Sequence, residues 1–285
     1  MQVLVTTVKS LLLVDTETGT YQPVHRGAGS YYGLAAQDGW VYVAHDARGG
    51  TISMFNNKLE LHSVAERKLP LPAVHEIGIS DGKVWATITN QNAVAICGPT
   101  KWEKWYPLGN TNGDMNHFNS LHFDDNFVRV LAHNKGERPS EILTFKKSDF
   151  SLDSRLAIGM RAHNIRWYRD QWVVCSSGEG RLLGSNGFEV SVGDFPRGLV
   201  ISEAENVVGV SRIAPRADRP HTTSSLYVYD ADWQKKKEID LVGEGDVHDV
   251  MRVDALVSPP VVSNMTAGGR GMNLKAGAPQ RRGCC

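Results

Sequence analysis

The chain has 285 residues, of which 41% are hydrophobic, and its 31 Lys and Arg residues balance its 31 Asp and Glu residues. Because the formal charge is zero, no overall basic field favours a nucleic acid or an acidic membrane as partner. No stretch reaches the roughly 18 apolar residues of a transmembrane helix, so we expect a soluble, cytoplasmic protein without a membrane span.

The N-terminal segments "QVLVTT" and "SLLLVDTETGTYQPV" have the apolar, β-branched character of strands. Lys9 and Asp15 interrupt the apolar run and no basic segment precedes it, which argues against a signal peptide. These segments correspond to strands two to four of a sheet whose first strand is missing at this end of the chain.

An internal repeat occupies the rest of the chain. Six short segments align without gaps and recur about every 40 to 50 residues, an interval typical of propeller blades. They are "YYGLAA" (31–36), "VHEIGI" (74–79), "FNSLHF" (118–123), "AHNIRW" (162–167), "PRGLVI" (196–201) and "VHDVMR" (247–252). Most are followed by a turn such as "SDG" and a second apolar run, which predicts a β-hairpin.

A second pair of short strands follows most hairpins, so each unit has four antiparallel strands. We therefore predict an all-β fold, a six-bladed β-propeller. The last repeat supplies an inner strand near the C-terminus, and the N-terminal strands complete its blade. Joining the two ends in one blade closes the ring and removes the open sheet edges that promote aggregation.

The predicted propeller spans residues 1–257. Residues 258–285 are rich in Gly, Pro and Arg, and we expect a largely disordered C-terminal extension. This extension ends in Cys284 and Cys285, which we interpret as two exposed thiols, with lipidation as the alternative.

The first strand of each propeller blade lies nearest the axis and starts on the same face, so aligned positions converge on one opening. The second repeat position gives a first column of residues: Tyr32, His75, Asn119, His163, Arg197 and His248. The third position gives a second column: Gly33, Glu76, Ser120, Asn164, Gly198 and Asp249. The ends of the second strands add a wider ring: His45, Asn90, His133, Ser176 and Arg212.

Imidazole titrates near neutrality and is the commonest metal ligand in proteins. We predict catalytic roles as proton carriers or ion ligands for His75, Glu76, His163, His248 and Asp249. Three of these residues, His75, His163 and His248, are candidate ligands of a divalent metal ion. The alternative is that the polar groups only hydrogen-bond water in a narrow tunnel.

Arg197 is a permanent cation, which repels a bare divalent ion unless an anion lies between them. With Arg212 and Arg216 it indicates a substrate that carries an anionic group; an ion pair of Arg197 with Asp249 or Glu76 is the alternative. The other predicted substrate-binding residues are Tyr32, His45, Asn119, His133 and Asn164.

The six-unit layout resembles the six-bladed propeller superfamily of gluconolactonase-like (senescence-marker), strictosidine-synthase-like and NHL-repeat proteins. The resemblance covers residues 1–257. Gluconolactonase-like members hold a divalent metal ion at the axis with a glutamate, asparagines and an aspartate at blade openings. The residues of matching type here are Glu76, Asn119, Asn164 and Asp249, so the resemblance implies a divalent metal cofactor.

Two functions are open. The first is a small-molecule hydrolase, lyase or isomerase that works in the axial pocket by metal-assisted or acid–base chemistry. The second is a non-catalytic scaffold that binds a protein or a glycan through its rim loops, above all through the long segment "RIAPRADRPHTTSS". The lysine run in "WQKKKEID" indicates a solvated hairpin tip and not a nucleic-acid patch.

Overall fold

The computed structural model describes residues 1–46, 50–64, 71, 73–98, 102–111, 113–215 and 217–254. Within these residues, 24 strands form six four-stranded antiparallel sheets, which confirms the predicted six-bladed β-propeller. The predicted C-terminal extension with Cys284 and Cys285 lies outside the described residues, as do Arg216 and residues 255–257.

Blade I contains β1 (Gln2–Thr7), β2 (Ser10–Asp15) and β3 (Tyr21–Arg26). Blade II contains β4 (Tyr31–Gln37), β5 (Trp40–His45), β6 (Thr51–Phe55) and β7 (Leu61–Val64). Blade III contains β8 (Val74–Ser80), β9 (Lys83–Ile88), β10 (Ala93–Cys97) and β11 (Trp102–Trp105). Blade IV contains β12 (Phe118–Phe123), β13 (Phe127–Ala132), β14 (Glu141–Lys146) and β15 (Leu152–Ala157).

Blade V contains β16 (Ala162–Tyr168), β17 (Gln171–Ser176), β18 (Arg181–Gly184) and β19 (Glu189–Ser191). Blade VI contains β20 (Phe195–Val200), β21 (Glu205–Ser211), β22 (Ser224–Asp230) and β23 (Lys235–Leu241). The last strand, β24 (Val247–Arg252), is the innermost strand of blade I. Short 3-10 helices occupy Thr89–Gln91, Asn134–Gly136 and Arg219–His221. No helix in the described part of the chain has the length and apolar character of a membrane span.

Blade I closes the ring with both ends of the chain, as the sequence predicted. β24 pairs antiparallel with β1, and Val250 lies opposite Val5 in this pairing. Both side chains are buried in an apolar cluster with Val200 and Leu226 of blade VI. Burial of aliphatic side chains between neighbouring sheets thus stabilises the closure.

Every inner strand loses register with its neighbour near its start, where the two polar columns lie. In blade III, for example, the pairing jumps from Val74 to Ile77, so His75 and Glu76 fall in the irregular segment. Such bulges interrupt the regular alternation of side chains between the two faces of a strand. As a result, the residues of the first and second columns have different surroundings.

The second column links each blade to the next. The Asp249 carboxylate accepts a hydrogen bond from the Leu34 backbone N–H (3.1 Å), and the Glu76 carboxylate accepts one from Leu121 (3.3 Å). Two further acceptors continue the series: Ser120 Oγ receives the N–H of Ile165 (3.0 Å) and Asn164 Oδ1 that of Gly198 (2.6 Å).

Glycine occupies the second column at the remaining two seams. A Cβ atom on Gly33 would lie 2.5 Å from the Cα of Glu76, and one on Gly198 would lie 3.0 Å from the nitrogen of Val250. The backbones of adjacent blades therefore approach too closely for any side chain at these positions. The second column is accordingly a belt of contacts between blades.

The repeat spacing is unequal, since 34 residues separate His163 from Arg197 and 51 separate Arg197 from His248, and this inequality has a structural basis. Blade V is the trimmed unit, with outer strands of four and three residues, β18 and β19. Blade VI has the enlarged loop, which runs from the end of β21 at Ser211 to the start of β22 at Ser224. We call residues 212–223 the blade VI loop.

Candidate functional site

A cavity of about 340 Å³ lies where the inner strands begin. Its lining residues come from blades III, IV, V, VI and I: His75, His117, His133, Lys135, Arg161, His163, Ser177, Gly178, Phe195, Arg197, Ser211, Arg212, Ile213, Ala214, Arg219, Asp246 and Val247. Five of the predicted site residues are among them: His75, His133, His163, Arg197 and Arg212. The structure therefore brings together residues that are far apart in sequence, including part of the blade VI loop.

Seven predicted site residues lie outside this lining: Tyr32, His45, Glu76, Asn119, Asn164, His248 and Asp249. His45 is buried, and its Nε2 is hydrogen-bonded to Ser53 Oγ at 2.8 Å within blade II. His248 Nδ1 donates to the carbonyl oxygen of Tyr31 at 2.6 Å. One ring nitrogen of each of these histidines is therefore already hydrogen-bonded within the protein.

Aromatic rings form an arc around the cavity, each in contact with the next. The aromatic arc consists of His248, Tyr32, His75, His117, His133, His163 and Phe195. At one end the Tyr32 ring stacks on both His248 and His75, with centroid separations of 4.7 and 5.8 Å. The neighbouring imidazoles of His117 and His133 are 4.8 Å apart, and those of His133 and His163 are 5.1 Å apart.

The imidazoles of the arc are held in the neutral form. Burial, followed by the charge of Arg197, lowers the pKa of His75, His163 and His248 well below the usual histidine value. Burial and the neighbouring His117 lower the pKa of His133 to about 3. Near neutral pH these rings are therefore uncharged.

Arg197 lies next to the arc with its charge unpaired. The residue is only 9% exposed, and its guanidinium makes no hydrogen bond or ion pair with any residue that the structure describes. Burial lowers its pKa, although arginine remains protonated. The nearby Asp246 carboxylate accepts a hydrogen bond from Thr222 (3.1 Å) and lies 3.6 Å from Arg219.

The cavity wall is strongly basic. Five cationic side chains line it, against the single carboxylate of Asp246: Lys135, Arg161, Arg197, Arg212 and Arg219. Low-dielectric walls concentrate such a field, so the cavity attracts anions.

Comparison with known proteins gives a fold and no family. No protein-family profile matches the chain, and no curated protein matches it. A chain in the crystal structure of a nidogen/laminin complex is similar, with a TM-score of 0.65 and 12% sequence identity over 87% of this chain and 97% of that chain. This likeness shows the propeller fold alone.

Glu76 and Asp249 are buried in the contacts between blades. Burial and the nearby Asp249 carboxylate raise the pKa of Glu76 to about 8. Asn164 Nδ2 donates to Asp249 Oδ1 at 3.2 Å, and the Arg166 guanidinium lies 3.7 Å from the same oxygen. The catalytic roles of Glu76 and Asp249 stay predictions.

The described residues do not fit the divalent metal ion that the resemblance implies. No group of three or more His, Cys, Asp or Glu side chains in the described part of the chain is arranged to hold a metal ion. The Tyr32 ring lies between His75 and His248, which separates the predicted ligands. The Asn164 oxygen is bonded to the N–H of Gly198, and Arg166 already places a cation beside Asp249.

The lining residues that sequence reasoning missed include four with basic side chains: His117, Lys135, Arg161 and Arg219. His117 is the most informative of these, because its Nδ1 lies 2.8 Å from the Asp114 carboxylate. Both residues belong to the polar run "DMNHFNS" that precedes β12. The density of His and Asn in this run was a usable signal, although the aligned repeat begins one residue too late to include His117.

Proposed function

We propose that the cavity binds a small organic anion, and that the protein is a hydrolase, lyase or isomerase that acts on this anion by acid–base chemistry. The observation that carries the proposal is the buried, unpaired guanidinium of Arg197. A buried charge without a partner is costly to the folded state. A ligand carboxylate or phosphate would supply the missing partner through charge-assisted hydrogen bonds.

The surroundings of Arg197 support an enzyme as well as a binding protein. Neutral imidazoles of His75, His117, His133 and His163 line the same cavity. A neutral imidazole can accept a proton from a bound substrate and, once protonated, return it to the product, which is general acid–base catalysis. The cavity volume of about 340 Å³ is at the small end of ligand sites, so the substrate is a small molecule.

The replacement Arg197→Met tests this proposal. We expect it to weaken the binding of succinate and of inorganic phosphate about 10- to 100-fold, because a charge-assisted hydrogen bond is lost. We expect the ligand-free variant to be more stable than the wild type by about 1–3 kcal/mol, since a buried unpaired cation is replaced by an apolar chain of similar length. Isothermal titration calorimetry and thermal unfolding measure the two effects.

The matched control is Arg181→Met, which removes an exposed arginine that pairs with Glu189 on blade V. Its anion affinity should equal that of the wild type. If wild-type protein binds neither succinate nor phosphate, or if Arg197→Met binds them as well as the wild type, the proposal is wrong.

A rim-binding function is the second candidate, and one observation favours it. Ile213 in the blade VI loop is 78% exposed, which is unusual for a large apolar side chain beside a polar cavity. The similar chain comes from the crystal structure of a nidogen/laminin complex. Under this proposal the rim loops of blade VI would hold a protein or glycan partner.

Shortening residues 213–223 tests this candidate. We expect the shortened protein to lose at least tenfold in affinity for a partner recovered by pull-down, while Arg197→Met still binds that partner. The opposite pattern, with binding lost only in Arg197→Met, would assign the partner to the cavity. A cytoplasmic location also stays a prediction, and it is supported by Cys175, a buried thiol that forms no disulfide within the described residues.

A further inference from the structure

Three imidazoles of the cavity have their hydrogen-bonding roles fixed by partners on the side away from the ligand. His117 Nδ1 is 2.8 Å from Asp114 Oδ2. A carboxylate only accepts hydrogen bonds, so Nδ1 carries the proton of the neutral ring. The other nitrogen, Nε2 of His117, is therefore an acceptor with a free lone pair.

His163 has the same tautomer and His133 the opposite one. The Ser177 hydroxyl donates to the carbonyl oxygen of Pro196, so its oxygen accepts from His163 Nδ1 at 2.8 Å. His133 Nδ1 accepts the backbone N–H of Lys135 at 3.1 Å, which places the His133 proton on Nε2. The cavity wall thus presents an acceptor, a donor and an acceptor in sequence along the aromatic arc.

These acceptors select the chemistry of the ligand. The Nε2 atoms of His117, His133 and His163 are not among the buried polar atoms that lack a hydrogen-bond partner in the described residues. These residues line the cavity, so a molecule in the cavity can reach their Nε2 atoms. An ionised carboxylate or a dianionic phosphate monoester satisfies Arg197 and His133 but offers no hydrogen to His117 or His163. A buried acceptor left without a donor costs free energy, so the preferred ligand must bring its own donor.

The donor must be uncharged. An ammonium group would enter a cavity that five cationic side chains line, and like-charge repulsion opposes it. A hydroxyl group supplies an O–H without charge. Asp114 also makes His117 the stronger of the two acceptors, because a carboxylate behind an imidazole raises its basicity.

We propose that the ligand is a hydroxylated organic anion, whose carboxylate or phosphate binds Arg197 and whose hydroxyl donates to Nε2 of His117. This inference rests on the proposed function and adds the substrate class to it. His133 Nε2–H donates to the same anionic group or to the hydroxyl oxygen.

Matched pairs of small acids test the inference in the wild-type protein. The probes are L- and D-malate against succinate, and citrate against tricarballylate, each pair differing by one hydroxyl group. We expect a preference of about tenfold or more for the hydroxylated member of at least one pair, measured by calorimetry at pH 7.5. Equal affinities within both pairs would overturn the hydroxyl requirement and leave the anion pocket standing. Absence of binding by all the probes would overturn the pocket as well.

The variant His117→Phe gives a second test, because it keeps the ring contacts with His75 and His133 and removes the acceptor. The hydroxyl preference should fall below about threefold, while succinate affinity stays within about threefold of the wild type. His62→Phe, an exposed ring on blade II, is the control. Nitrogen-15 shifts of the wild-type imidazoles add a readout that needs no variant: His117 protonated at Nε2 instead of Nδ1 would overturn the inference.

Discussion

The protein is expected to lose stability steeply as the pH falls from 7 towards 4. Burial lowers the pKa of eight histidines: His25, His45, His75, His117, His122, His133, His163 and His248. Below the ordinary histidine pKa, the unfolded chain binds protons that the folded protein does not. Protonation therefore favours unfolding, and the loss grows until the pH reaches the folded-state pKa values.

The loss of stability at low pH can be calculated from individual histidine side chains. Burial lowers the pKa of His133 to about 3 and that of His122 to about 4. Each of these rings then costs on the order of 2 kcal/mol at pH 5. The charges of Arg197 and Arg161 contribute to the low pKa of His133, whereas Asp114 partly offsets the fall in the pKa of His117. Because domains are stable by only about 5–15 kcal/mol, a few such rings suffice for acid unfolding.

Urea unfolding at pH 7 and pH 5 measures this loss. We compare the free energy of unfolding of His133→Gln with that of the wild type at each pH. The difference in favour of the variant should be about 2 kcal/mol larger at pH 5 than at pH 7. For His62→Gln, at an exposed position, the difference from the wild type should be the same at both pH values. A free energy of unfolding that is the same at both pH values in the wild type would contradict the conclusion that the histidines of the aromatic arc are uncharged.

Glu76 is expected to act in the opposite direction, with a loss of stability as the pH rises. Burial and the Asp249 carboxylate raise the pKa of Glu76 from its ordinary value of 4.5 to about 8. Between these values the folded protein holds a proton that the unfolded chain has released, so raising the pH favours unfolding. The loss is complete above pH 8 and amounts to at most about 5 kcal/mol. Arg166 limits the loss, because its charge favours the ionised Glu76.

Glu76→Gln isolates this contribution, because the amide oxygen can still accept the N–H of Leu121. As the pH is raised from 5 to 9, the free energy of unfolding of Glu76→Gln relative to that of the wild type should increase by a few kcal/mol. Glu203→Gln, at an exposed position of blade VI, is the control. A constant difference between Glu76→Gln and the wild type across this range would show that Glu76 is already ionised at pH 5. With the histidines, Glu76 confines maximal stability to near-neutral pH.

The repeat in the sequence was sufficient to predict the architecture. The segments "FNSLHF" and "VHDVMR" coincide with the bounds of β12 and β24. The strands β4, β8 and β16 each extend one residue beyond the predicted segment, and β20 is displaced from it by one residue at both ends. Strand pattern, turn residues and unit length all indicate the same fold, so one alignment defined every inner strand. The missing first strand at the N-terminus then indicated the shared blade.

The site was predicted only in part, because local backbone geometry does not appear in an alignment. The bulges divide neighbouring residues: His75 faces the cavity, whereas Glu76 contacts the N–H of Leu121 in the next blade. His117 precedes β12 in a left-handed conformation, with φ of 52°, and lies outside the repeat. The unpaired state of Arg197 depends on what its neighbours Asp246 and Asp249 already bind, which requires coordinates.

Closure through blade I has a consequence for how the protein is made. β1 is synthesised well before its partner β24, because five complete blades separate them in the chain order of the described strands. Until β24 emerges, one edge of β1 offers free N–H and C=O groups to any other extended chain. At about 5–20 residues per second, the nascent polypeptide is open to such association for on the order of tens of seconds.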